Sequence, residues 1–402
     1  MAYAGEGRTV NQHVNEPLLR LTWTDKVTGA HGHLVVHTLV SGMTTGGTRM
    51  RPGCTLSEAE DLARGMAAKT AAFDLPVGGA KGGIDFDPKD PRARGVLERF
   101  YHDMRPWLDA HWVTAEDLGV PQHLLDDVFA SLNLRQSYHA AIRRSTDPER
   151  TLRRVQAGLS APVPGGLLLG DVIGGYGVAQ ACLGVVSAWD WAPTDTTVAI
   201  QGIGTMGGGA AWYLHESGLR IVAVADAAGT LADPNGLDIP ALLQARDRYG
   251  EIDRTQVPDH VERLPRSAVL AADADIVVPA AVSYALTPDN SYDVTASAIV
   301  EAANAATTPE AEAMLTARGI PVIPDFVANA GAVAWVWWLL QGQVGANPAD
   351  SFLKLRTEMQ AKVALLLSSW NDDRIAPRQT AEQFVAAREL APTSLEQVLT
   401  IP

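Results

Sequence analysis

A two-domain α/β chain, its second domain a doubly wound parallel sheet, is predicted by three observations. The chain has 402 residues, which at roughly 100–200 residues per domain implies two or three domains. Strands and helices alternate from Tyr176 to Ile323, the rhythm of βαβ units whose parallel sheet is covered on both faces. In the middle of that stretch a glycine-punctuated turn, Gly202 to Gly207, joins an apolar strand to a helix.

From the N-terminal side, Leu18–Thr24 and His33–Val40 read as strands separated by the turn-prone Thr28-Gly29-Ala30. A helix starts after Thr55, where Thr55 and Glu58 form the Thr-x-x-Glu capping pattern and Leu56, Ala59, Leu62, Ala63, Met66, Thr70 and Phe73 recur at helical spacing. Lys69 projects from that inward stripe; the bland alternative is a lysine at its edge, reaching to water. Gly78-Gly79-Ala80-Lys81-Gly82-Gly83 reads as a loop where backbone can approach a ligand closely. Residues 131–165 form an arginine-rich helical excursion, read as a solvated face or subunit contact, and Pro162 to Gly166 is the expected domain boundary. Beyond it come helix Tyr176–Trp189, strand Thr197–Gln201, helix Met206–Ser217 and strand Arg220–Ala225. Strands Ala274–Val278, Ala298–Glu301 and Pro321–Ile323 follow, with helix Pro309–Ala317 before the last, and helices are expected at 334–341, 350–370 and 379–390.

Gly202-Ile203-Gly204-Thr205-Met206-Gly207 is a G-x-G-x-x-G in the strand-to-helix context that a dinucleotide fingerprint needs. The first glycine makes the tight turn, the second admits the pyrophosphate, and the third lets helix and strand pack closely. Asp226 ends the next strand, roughly 20 residues on, where a carboxylate accepts from a ribose 2′-hydroxyl. Ala227-Ala228-Gly229 bring no cation for a 2′-phosphate. The pattern predicts NAD.

Composition narrows the remaining classes. A net charge of −14 disfavours a nucleic-acid binder. Two cysteines, Cys54 and Cys182, cannot make a disulfide framework, and no CxxC or HExxH points to a metal. The opening MAYAGEGRTV lacks a signal pattern, and the longest apolar run, Val327–Leu340, falls short of the ~20 residues that span a bilayer. A soluble cytoplasmic protein without membrane partners is expected. Only six lysines accompany 26 arginines (Lys26, Lys69, Lys81, Lys89, Lys354 and Lys362). Lysine in an apolar or glycine-rich setting is then a candidate for chemistry, because it can lose its proton where arginine cannot.

Taken together, Gly46-Gly47-Thr48-Arg49-Met50, Met66-Ala67-Ala68-Lys69, Gly78 to Gly83, Thr114-Ala115-Glu116-Asp117-Leu118-Gly119, the fingerprint, Pro279-Ala280-Ala281, Glu301-Ala302-Ala303-Asn304 and Pro324 to Gly331 resemble the glutamate/leucine/phenylalanine/valine dehydrogenase family. The resemblance implies a substrate-binding and catalytic domain at 1–160, with C-terminal helices 334–402 packing back on it, and a Rossmann-type NAD-binding domain at 165–330. It implies NAD(P)-dependent oxidative deamination of an L-amino acid to its 2-oxo acid and ammonia, the reverse amination, and a homo-oligomer. Lys69 would bind the substrate carboxylate. Lys81, with a lowered pKa, would activate water, and Asp117 would exchange protons with the nitrogen. Gly46 and Gly47 fall at the substrate, while Thr205, Met206, Ala280, Asn304 and Asn329 join the fingerprint glycines and Asp226 on the cofactor. Three positions depart from the pattern: Gly174 replaces a threonine near the nicotinamide, Ala302 a glycine, and Ala332 a second glycine.

In relatives that take glutamate, a lysine precedes the Gly-Gly and a serine lies seven residues beyond the asparagine matching Asn329. Here those positions are Thr45 and Val336, so an apolar L-amino acid, branched-chain or aromatic, is the expected substrate. The alternatives are glutamate or an unusual amino acid on the same fold, and a catalytically silent member kept for binding. Trp335, Trp337 and Trp338 are assigned to core packing.

Overall fold

The computed structural model describes residues 16–247 and 250–389. The ends of the expected domains, 1–15 and 390–402, lie outside the described residues, as does the last residue of the helix expected at 379–390. Two compact units divide the chain: one up to Thr146 plus the segment from Phe384, the other from Asp147 to Gln383.

The first unit is built on a six-stranded sheet of β1 (Leu19–Thr24), β2 (His31–Val36), β3 (Thr44–Thr45), β4 (Thr48–Arg51), β5 (Gly78–Asp85) and β6 (Trp112–Val113). β1, β2 and β5 are antiparallel neighbours, whereas β3 and β4 both run parallel to β5. Helix α1 (Leu56–Ala72) lies on β5. Thr55 caps it by accepting from the Glu58 amide, but the Glu58 carboxylate turns to Arg49 and Arg51, so only half of the expected capping exchange is made. Helices α2 (Ala93–Asp103), α3 (Arg105–Ala110), α4 (Gln122–Ser131) and α5 (His139–Arg144) complete the unit. Leu34, Val36, Ile84, Leu97, Phe100, Tyr101 and Trp112 form the heart of its core.

The glycine-rich segment expected as a ligand-binding loop is the interior strand β5. Its glycines serve packing. A Cβ on Gly79 would stand 2.0 Å from the Ala67 amide nitrogen of α1, and one on Gly78 2.0 Å from the Thr38 carbonyl oxygen. Glycine gives the same sequence signature for a turn and for two backbones in contact, and here the contact wins.

The second unit opens with α6 (Pro148–Leu159), a small hairpin of β7 (Pro162–Val163) and β8 (Leu167–Leu168), and α7 (Leu169–Ala188). Its sheet contains β9 (Thr197–Gln201), β10 (Arg220–Ala225), β11 (Thr230–Ala232), β12 (Glu262–Leu264), β13 (Ile276–Pro279), β14 (Ala298–Val300) and β15 (Val322–Ile323), in the order β12-β11-β10-β9-β13-β14-β15. Strands β10, β9, β13, β14 and β15 pair in parallel, while β11 and β12 form an antiparallel edge that the alternation did not predict. From β9 the chain moves to one side for β10 and to the other for β13, so the switch in strand order lies at the carboxyl end of β9, where such sheets bind ligands. The helices are α8 (Thr205–Glu216), α9 (Ile239–Gln244), α10 (Pro288–Ser291), α11 (Pro309–Ala317), α12 (Asp325–Ala328), α13 (Gly331–Gln341), α14 (Pro348–Asp373) and α15 (Pro377–Glu389).

Two differences from the expected domain plan follow from packing. The units divide ahead of α6, not at Pro162–Gly166, because α6 packs on α13 and Arg154 donates to the Leu340 carbonyl at the end of that helix, at 2.8 Å. Helices α13 and α14, expected on the first domain, pack against α7 in the second unit. Helix α7 is also long and apolar enough by composition to cross a membrane, which a search for unbroken apolar runs overlooks, but most of it is buried in this core. Trp335, Trp337 and Trp338 are all buried, with Trp335 Nε1 donating to Ser351 Oγ at 2.9 Å.

Candidate functional site

The first unit gathers the candidate catalytic groups. A Cβ on Gly46 would lie 1.7 Å from the Ala80 carbonyl oxygen, and one on Gly47 2.7 Å from the Glu116 carbonyl oxygen. Only glycine lets the 46–47 backbone lie against both β5 and the segment carrying Asp117. The result is a buried pair: Lys81 Nζ meets Asp117 Oδ2. On its other oxygen Asp117 accepts from the Leu118 amide at 2.7 Å and from Arg49 Nη2 at 3.3 Å, while Arg49 Nη1 donates to Glu58 at 2.9 Å. Burial acts to raise the Asp117 pKa, but the charges of Lys81 and Arg49 overcome it and hold the carboxyl well below the usual range. Lys81 is 5% exposed and Lys69, on α1, 8% exposed, so the reading of Lys69 as an edge lysine reaching to water does not hold. Thr45 is buried and its hydroxyl donates to the Val113 carbonyl at 3.2 Å.

The second unit holds the fingerprint as its spacing predicts. Gly202 has φ +93°, which favours glycine, and a Cβ there would lie 2.8 Å from Ala281 Cα. A Cβ on Gly207 would stand 1.9 Å from the Gly202 carbonyl oxygen. Gly204 is the N-cap of α8, and among the described residues nothing lies within 4 Å of where its Cβ would stand. The start of a helix presents backbone N–H groups, a cradle suited to a pyrophosphate. Thr205 and Met206 begin α8, and the Ala280 amide donates to Gln201 at 2.7 Å, fixing the neighbouring loop. Asn304 and Asn329 are brought together: Asn329 Nδ2 donates to Asn304 Oδ1 and to the Ala302 carbonyl, each at 3.2 Å. Among the described residues Asn329 Oδ1 is buried with no hydrogen-bond partner, an acceptor that a bound nicotinamide ribose could use. Val336, half-buried on α13, lies in this unit and Thr45 in the other.

Gly174 lies inside α7, and a Cβ there would stand 2.8 Å from Met206 Sδ. The missing threonine is thus matched by a methionine at the fingerprint helix, which fills its space.

Asp226 differs from expectation. Its carboxylate, 2% exposed, takes a two-pronged ion pair from Arg254 (2.7 and 2.6 Å) and hydrogen bonds from the amides of Ile252 (2.8 Å), Ala228 (2.9 Å) and Gly229 (3.1 Å). The sequence reading found no cation after Asp226; the fold supplies one from 28 residues downstream. Arg246 was missed in the same way, and donates to the Ile203 carbonyl of the fingerprint at 2.7 Å. Neither arginine carries a local motif. Arg49, by contrast, sits within the Gly-Gly-Thr-Arg run and could have been singled out there.

The chain matches the models "Glutamate/Leucine/Phenylalanine/Valine dehydrogenase" over residues 165–382 and "Glu/Leu/Phe/Val dehydrogenase, dimerisation domain" over 18–132. It is 34% identical over 325 residues to an NAD-specific glutamate dehydrogenase of Staphylococcus aureus, covering 78% of this chain and 73% of that one. It is also 34% identical over 293 residues to NADP-specific glutamate dehydrogenase A1 of Halobacterium salinarum, covering 72% and 66%. Among solved structures, hetero-hexameric glutamate dehydrogenase from Thermus thermophilus in a Leu-bound form superposes with TM-score 0.73 at 27% identity, covering 95% of this chain and 91% of that one. By these matches the chain belongs to the glutamate/leucine/phenylalanine/valine dehydrogenase family and is an amino-acid dehydrogenase.

Proposed function

We propose that the protein catalyses NAD-dependent oxidative deamination of an apolar L-amino acid to its 2-oxo acid and ammonia, and the reverse amination, as a homo-oligomer. The buried Lys81–Asp117 pair, anchored by Arg49, carries the reading of the chemistry. Bound NAD would accept the hydride from the α-carbon. Lys69 holds the substrate carboxylate, Lys81 activates the attacking water, and Asp117 passes protons to and from the nitrogen. In the second unit Gly202, Gly204 and Gly207 with the start of α8 would hold the pyrophosphate, and Asn304 and Asn329 the nicotinamide ribose.

Thr45 and Val336 support the choice of side chain. The relatives above are named for glutamate, but the positions that by resemblance hold a distal carboxylate carry here a neutral hydroxyl already donating to Val113 and an apolar valine, with no lysine at position 45. Leaving it desolvated and unpaired costs on the order of several kcal/mol, whereas an apolar side chain gains roughly 0.8 kcal/mol per buried methylene. Steady-state kinetics across leucine, valine, phenylalanine, tryptophan and glutamate is expected to place an apolar substrate at least about 100-fold above glutamate in kcat/KM. Glutamate emerging highest would overturn the substrate reading, and no turnover with any would revive the silent-member alternative.

Arg254 favours a second reading of the cofactor. Paired with Asp226 at the end of β10, it competes with a ribose hydroxyl for the carboxylate and offers a guanidinium to a 2′-phosphate. NAD is the expected preference. Arg254→Ala should widen it about tenfold, the worth of one charged contact of about 1.4 kcal/mol, and Asp226→Ser should narrow it. The ratio of kcat/KM with the two cofactors decides; a wild-type preference for NADP would move the assignment to Arg254.

A further inference from the structure

Behind the Asn304–Asn329 pair lies a buried ionic cluster that the proposed chemistry does not use. Glu301 at the end of β14, Glu312 on α11 and Asp325 at the start of α12 all face Arg378, near the start of α15. Arg378 Nη2 meets Glu301 at 2.7 Å, Nε meets Glu312 at 2.6 Å, and Nη1 meets Asp325 at 3.5 Å. Its guanidinium also lies 5.7 Å from the Phe326 ring centroid. Glu301 is fully buried. Three carboxylates around one guanidinium leave an excess of negative charge, and burial pushes the Glu301 carboxyl up to about 7 against the pull of Arg378. An arrangement this costly is poor evidence for stability.

The carboxylates hold backbone. Glu301 accepts from the Thr307 amide at 2.7 Å and from the Asp325 amide at 3.0 Å, and Asp325 accepts from the Ala305 amide at 3.0 Å. Ala305 has φ +47°, a left-handed conformation that a residue with a Cβ keeps only when its surroundings impose it. These bonds bracket Asn304 on one side, and on the other they fix the start of α12, the helix that Asn329 ends.

We infer that Arg378 is a positioning residue for the dinucleotide site, holding Glu301 and Asp325 in the arrangement that shapes the 304–307 turn and sets Asn304 against Asn329. The inference rests on the reading of this unit as the cofactor site. Arg378 touches neither asparagine in the contacts described, so its effect on the nucleotide passes through the two carboxylates. Glu312, its third partner, makes no described bond to the turn and serves as the internal control.

The test measures dinucleotide affinity by fluorescence titration with NADH, KM for dinucleotide and for amino acid, and Tm. Arg378→Gln is expected to weaken NADH binding and raise the dinucleotide KM about tenfold or more, with the amino-acid KM within twofold, and Arg378→Lys should recover part of the loss. Glu312→Gln should lower Tm while leaving NADH affinity within twofold. Unchanged NADH affinity in Arg378→Gln, or an equal loss in Glu312→Gln, would overturn the inference in favour of a purely structural cluster. Should Arg378→Gln fail to fold, Glu301→Gln decides: it keeps the side chain's shape but loses one carboxylate acceptor, and an unchanged dinucleotide KM would overturn the inference. A wild-type chain that binds neither NADH nor NADPH would instead bring down the cofactor reading beneath it.

Discussion

Replacing Lys81 by methionine is expected to lower turnover by about 1000-fold, within the range that one positioned acid–base group supplies, while NADH affinity stays within twofold. Methionine matches the length of the buried lysine stem and tolerates apolar surroundings, so the fold has little reason to move. Lost are the nitrogen that takes a proton and the charge against Asp117, which retains Arg49. On the proposed reading, binding of the dinucleotide rests on the other unit and should survive. Wild-type turnover in this variant would remove Lys81 from the mechanism.

Asp117→Asn should cost turnover by about 100-fold or more, because an amide keeps the shape of the carboxylate but cannot carry a proton to the nitrogen. The same variant has a second readout. The Asp117 carboxyl in the folded protein titrates below its ordinary value of 3.8, so its charge contributes stability that is fully present above about pH 4 and is lost as pH falls through the lower folded value. Unfolding measured from pH 5 downward should therefore be less acid-sensitive in Asp117→Asn than in the wild type. Normal rates would exclude Asp117 from proton transfer, and an identical acid limb would mean that its ion pairs do not contribute to folding.

What could be read from the sequence was what is local. The fingerprint, β9, α8 and β10 lie within a few turns of one another, and each glycine there has a geometric duty that its spacing states. The fold class followed from the same alternation. Pairs made across long stretches of chain were not visible: Arg254 reaches Asp226 over 28 residues, Arg49 reaches Asp117 over 68, and Arg378 reaches Glu301 over 77. An arginine's sequence neighbours say nothing about which carboxylate it will meet, so the absence of a cation at 227–229 left Arg254 unseen. Strand β5 was misjudged differently, since hydrophobic alternation cannot announce a strand whose faces are mostly hydrogen.

The same strand constrains how this enzyme can evolve. At Gly46, Gly78 and Gly79 any side chain would collide with neighbouring backbone, so the seat of Lys81 offers selection almost no viable variants. Thr45 and Val336 are not bound in this way: the first makes a single hydroxyl contact and the second is only half-buried. If those two positions face the substrate as proposed, mutation can explore new substrates there while the catalytic frame stays unaltered, a separation under which descendants can diverge in diet and keep their chemistry.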